Sequence, residues 1–150
     1  MDDCALCRSL HTETPIFEDE LWHVRPIEAP AGVAGWMIVV AKRHVAGPAH
    51  FDDAEAASFG LALRHFSQVL LETTGALRIY TAALGEAVPH FHCHLVPRYE
   101  DTPKKGWGLF DLQRAAKEGE VTVDPQRIRA VNAAYGEALL ANPFRGPGRR

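Results

Sequence analysis

The chain has 150 residues, 47% of them apolar, and a net charge of −3 with its eight histidines counted as neutral. That length suits one domain with a sizeable core. The charge excludes a broad basic surface for nucleic acid, and no apolar run is long enough to span a bilayer. The acidic start Met1-Asp2-Asp3-Cys4 lacks the basic residues and apolar stretch of a signal peptide, so the expected location is the cytoplasm. Two of the three cysteines form Cys4-x-x-Cys7; in a reducing compartment that pair suggests metal or redox chemistry before a disulfide.

In chain order, residues 1–14 are polar apart from the cysteines and read as a loop or short turn. Ile16-Phe17 and Trp22 to Val24 read as short strands around the acidic turn Glu18-Asp19-Glu20. Pro26 to Gly35 is a Pro/Gly/Ala loop, and the continuous apolar run Trp36 to Val40 a central strand buried on both faces. Asp52 with Glu55 marks the capped start of a long helix, and Gly75 its stop. Phe59, Leu63, Phe66 and Leu70 form its buried stripe; Arg64, His65, Gln68 and Glu72 form its solvated side. Leu77 to Leu84 is a strand that turns at Gly85-Glu86 into the next, so the two should form an antiparallel hairpin. Residues 101–119 are mixed and polar, with Trp107 and Phe110 isolated. Asp124 and Pro125 open a last helix with Ile128, Val131, Tyr135 and Leu139 on its buried side, and Asn142-Pro143 closes it. The expected fold is α+β: an antiparallel sheet of about five strands, one long helix and a C-terminal helix, in a single domain of residues 1–142 with a disordered tail of 143–150.

The chemistry concentrates in His90-Phe91-His92-Cys93-His94-Leu95-Val96. Side chains alternate along a strand, so three imidazoles would share one face and Phe91, Cys93 and Leu95 the other. Such a row can hold a catalytic zinc, attack phosphorus or an acyl centre with an adjacent imidazolium stabilising the developing charge, or move protons near neutral pH. Other candidates read blandly: Cys93 as core, Trp36 and Trp107 as packing, His11, His23 and His50 as exposed or hydrogen-bonded structural residues, His65 as exposed, and Lys42, Arg43 and Arg98 as solvated cations.

The segment resembles the signature of the histidine triad family, His-φ-His-φ-His-φ-φ with φ apolar, at every position, and Pro97-Arg98 follows as is common there. Gly35 to His44 looks like that family's strand ending in Pro-Lys-x-His, and Ile16-Phe17-Glu18-Asp19 like its opening strand, so the likeness runs over roughly residues 4–100. The resemblance implies a homodimer that binds a nucleotide, with His92 as nucleophile on the α-phosphate and His94 contacting the phosphate. It also implies nucleoside contacts from the first strands (Ile16, Phe17 and Trp22) and ribose binding by Glu28. Where the family often has Gly-Gln-Ser/Thr before the triad, this chain has Gly85-Glu86-Ala87, which puts a carboxylate, Glu86, near the expected phosphate. A zinc-binding branch of the family pairs Cys-x-x-Cys with two histidines; the matching residues here are Cys4, Cys7, His44 and His90, a closed structural site. Two rivals stand beside the phosphohydrolase or nucleotidyltransferase reading: a zinc hydrolase using all three triad histidines as ligands, and a nucleotide-binding regulator with little turnover.

Overall fold

A computed structural model describes residues 4–147; the readings of Met1-Asp2-Asp3 and of residues 148–150 fall outside the described residues. Five strands form one antiparallel sheet: β1 (Phe17–Glu18), β2 (Trp22–Pro26), β3 (Met37–Ala41), β4 (Arg78–Ala82) and β5 (His92–Arg98). Their order across the sheet is β1-β2-β3-β5-β4, with the expected hairpin between β4 and β5. Every residue of β3 is buried, as its unbroken apolar run requires.

Four helices cover the sheet: α1 (Ala5–Thr12), α2 (Asp53–Thr74), α3 (Gly108–Lys117) and α4 (Pro125–Ala141). The expected caps of α2 are present. Asp52 accepts from the Glu55 N–H and Glu55 from the Asp52 N–H, while Gly75 takes the left-handed conformation (φ 62°) that a side chain would resist. Lys42 and Arg43 are not merely solvated: Lys42 pairs with Glu18, and Arg43 with the buried Glu55.

Two helices lie where loops were expected. Cys4 precedes α1 without a side-chain cap, and only Leu6 is buried, so its signal was too short to stand out. In α3 no capping side chain marks the start, yet Leu109, Leu112, Ala115 and Ala116 give a buried stripe at helical spacing. On α4 only Tyr135 and Leu139 of the expected stripe are fully buried, while Ile128 and Val131 are half-buried, Ile128 beside an apolar cavity. The packed chain also continues past Asn142. Phe144 is buried against Phe66 and Phe17. His65 is half-buried there, its Nε2 3.0 Å from the Asn142 carbonyl.

The sheet's two faces differ. Antiparallel partners project to the same side, so Phe17, Val24, Val39 and Cys93 share one face and pack with α2 and α4 in the main core. The other carries His23, Arg25, Ile38, Val40, His92 and His94, covered by α1 at one end and α3 at the other. Among the described residues no helix is long and apolar enough to cross a membrane.

Candidate functional site

Strand β5 starts at His92, so the three-histidine row is corrected to two. His92 and His94 lie on one face opposite Val40 and Ile38, their ring centroids 5.1 Å apart. His90 sits on the bend before the strand, where its N–H bonds to the Val88 carbonyl, and its ring is fully buried.

That bend delivers His90 to the cysteines. Its Nδ1 lies 3.5 Å from Cys4 Sγ and 3.4 Å from Cys7 Sγ, and His44 Nδ1 is 3.2 Å from Cys7 Sγ. All four ligand atoms fall within 4.8 Å of one another. A tetrahedral zinc with ordinary Zn–S and Zn–N lengths separates its ligands by about 3.4–3.8 Å, so this donor set fits that ion. The start of α1 makes it possible, because Cys4 is its N-cap and Cys7 lies in its first turn. The Nε2–H of His90 donates to the Ala41 carbonyl at 2.6 Å, which turns the Nδ1 lone pair towards the thiols. Burial holds the ring below the usual histidine range, in the neutral form a metal needs. Neither His92 nor His94 belongs to this cluster, which removes the geometric basis for a zinc held by all three triad histidines.

His92 keeps a different hydrogen bond. Its Nδ1 is 2.8 Å from the His90 carbonyl, an acceptor only, so Nδ1 carries the proton and Nε2 keeps its lone pair. Trp36, expected to do no more than pack, places its indole Nε1 3.0 Å from His94 Nδ1. Burial, and then His92, push the His94 ring down to about 4. The imidazolium expected beside the nucleophile is therefore not the form His94 holds near neutrality.

The residues expected to contact the base pack in the main core. Phe17 packs on Phe66 and Phe144, Ile16 joins the same core, and Trp22 is fully buried with its indole donating to Ser58. All three belong to the α2/α4 side of the sheet, away from His92. The strand alternation was readable there, but which face would carry the histidines was not. Glu28 is exposed, with Lys117 Nζ 3.8 Å from its carboxylate. Glu86 is exposed on the loop between β4 and β5. An apolar cavity of about 510 Å³ lies between the 26–36 loop, α3 and α4; it touches Trp36 but not His92 or His94.

For three residues on or near this face, His23, Trp36 and Gln113, the sequence did not show the part the structure gives them. His23, read as exposed or hydrogen-bonded, is fully buried with neither ring nitrogen partnered, and burial lowers its affinity for a proton. Trp36 and Gln113 act through long-range contacts that no local pattern encodes. From α3, Gln113 accepts from the Gly32 N–H and donates to the Glu28 and Pro30 carbonyls. Trp107 is exposed rather than packed, its ring 6.0 Å from that of Phe110.

No family model matches the sequence, and no curated protein matches it. Solved structures do match. A hypothetical histidine triad nucleotide-binding protein from Sulfolobus tokodaii superposes with a TM-score of 0.67 at 16% identity, covering 92% of this chain and 93% of the other. A histidine triad protein from Marinobacter aquaeolei gives 0.65 at 20% identity, over 92% and 97%. A Zn-bound histidine triad family protein from Mycobacterium smegmatis gives 0.63 at 21% identity, over 94% and 99%. The chain has the histidine triad fold.

Proposed function

We propose that this fold serves a nucleotide hydrolase or nucleotidyltransferase acting at the α-phosphate through a covalent nucleotidyl-histidine on His92. The observation that carries the reading is the His92 Nδ1–H donated to the His90 carbonyl, which in the neutral ring leaves the lone pair on Nε2. In the proposed step the Nε2 lone pair forms a bond to the α-phosphorus, and the bond to the leaving group breaks with its electron pair. Water or another acceptor then takes the nucleotidyl group from His92. His94 hydrogen-bonds a phosphate oxygen, its ring centroid 5.1 Å from that of His92 on the same strand face. Nucleoside phosphoramidates and dinucleoside polyphosphates are the substrate classes. Glu28, from the loop at the end of β2, contacts the ribose, and Glu86 lies near the leaving group.

Cys4, Cys7, His44 and His90 hold a structural zinc in this reading; the ion supplies cross-linking of α1 to the loops flanking β3 and β5, and no chemical step passes through it. Homodimer formation is supported by β4, an edge strand that among the described residues pairs only with β5, with Leu77 and Leu84 exposed beside it.

Intact-protein mass spectrometry after mixing with an adenosine phosphoramidate tests the function. The expected result is an adenylyl adduct in the unsubstituted protein and none in His92→Ala. Neither adduct nor turnover across a nucleotide panel would leave a binding protein with little turnover as the better account.

A further inference from the structure

We infer that Trp36 is a positioning residue of the triad site: its indole N–H holds His94 as the neutral Nε2–H tautomer, so that His94 meets a substrate oxygen as a directed donor and not as a cation. The inference rests on the proposed phosphate contact of His94 and specifies the form in which that contact is made.

An indole N–H can only donate. At 3.0 Å from His94 Nδ1 it requires a lone pair there, and the single proton of the neutral ring then belongs to Nε2. A protonated His94 would set two N–H groups against each other. Trp36 cannot readily turn aside. It is 3% exposed, its backbone N–H donates to the Val33 carbonyl, and its backbone carbonyl accepts from the Ile27 N–H. Phe110 of α3 packs against both rings, with centroids 5.8 Å from Trp36 and 6.5 Å from His94. Across the sheet from His94 lie Ile38 and Ala82, neither of which titrates, and Tyr80 lies one pair further along the same face of β4. His92 is the neighbouring titratable group, and a positive charge on it also disfavours a second one on His94. Geometry, burial and charge thus select the same form.

The test is the ring-nitrogen spectrum of protein labelled with ¹⁵N-histidine and ¹⁵N-tryptophan. The unsubstituted protein should show His94 as one Nε2–H tautomer at both pH 7.5 and pH 5.5, with a coupling across the hydrogen bond between Trp36 Nε1 and His94 Nδ1. Trp36→Phe removes the N–H and keeps an aromatic ring. His94 should then become a mixture of tautomers, with its titration midpoint raised by about one pH unit, the equivalent of one hydrogen bond withdrawn from the neutral ring. Phe110→Leu loosens the same aromatic cluster but leaves the donor, and should retain the single tautomer. A proton on Nδ1 of His94 in the unsubstituted protein overturns the inference without any variant. So does an unchanged tautomer in Trp36→Phe, or an equal disturbance in Phe110→Leu. None of these readings needs turnover, so a failure of nucleotidyl transfer and a failure of this inference are told apart.

Discussion

His90 and His92 are two residues apart and differ in almost everything that decides what an imidazole does. His90 lies on a bend, donates through Nε2 to Ala41 and turns Nδ1 to two thiols. His92 lies on β5, donates through Nδ1 to the His90 carbonyl and leaves Nε2 open. Each ring's free nitrogen is set by the carbonyl its other nitrogen has found, so position relative to the strand start, and not residue type, separates the proposed metal ligand from the proposed nucleophile. The two are also coupled, because the carbonyl that orients His92 belongs to His90.

The strongest way to break the contrast is to remove one partner at a time. His92→Ala should abolish the nucleotidyl adduct and lower turnover of a phosphoramidate by roughly 10⁴-fold or more, the scale of losing a nucleophile. Zinc stoichiometry should stay the same, since His92 lies outside the ligand cluster. Cys4→Ser should do the reverse. Bound zinc, read by elemental analysis, should be lost, and the thermal midpoint should fall as α1 loses its tether. Turnover should drop less than in His92→Ala, because Nδ1 of His92 keeps its backbone acceptor. Equal losses of activity in the two variants would mean that the metal site and the nucleophile are not separable.

Much of this was readable in the sequence. The alternating histidines, the unbroken run of β3, the capping box of α2 and the metal-ligand spacing are local patterns, and each reported a local constraint. What escaped depended on long-range geometry. Phe17 and Trp22 were rightly placed on strands, yet a strand's periodicity does not say which face meets α2. Helix α3 lacked a cap, and its stripe includes two alanines, so composition hid it among polar residues. The hydrogen bond from Trp36 to His94 joins residues 58 apart, and neither neighbourhood announces it.

The histidine face should also respond to acid in a way the α2/α4 face does not. Burial lowers the proton affinity of both His23 and His94, the latter to about 4, whereas the unfolded chain binds these protons near pH 6.5. As pH falls below about 6.5 the unfolded state gains protons that the native state refuses, so stability declines. The His94 share of the loss is complete only below about pH 4. Thermal midpoints should therefore fall from pH 7.5 to pH 5. His23→Leu, which removes two unpartnered ring nitrogens from a fully buried position, should make that fall shallower by a few degrees. An identical slope in the variant would mean that His23 is protonated alike in both states.

The smallest expected effect separates the triad from the loop proposed to hold the nucleoside. Gln113 ties α3 to residues 28–32 through three hydrogen bonds, at 2.9, 3.0 and 3.1 Å. The contact is close: a Cβ on Gly32 would lie 2.3 Å from the Leu112 carbonyl oxygen, so only glycine lets the helix rest there. Gln113→Ala removes the ties without touching His92, His94 or the thiol cluster. Glu28 should then be held less firmly, at a cost of about 1 kcal/mol in nucleoside binding, which is a roughly five-fold rise in KM. The kcat should stay within two-fold, because the groups that act at phosphorus keep their partners. A matched fall in kcat with KM unchanged would place Gln113 with the reacting groups and would remove the division between a rigid histidine strand and a separately fastened binding loop.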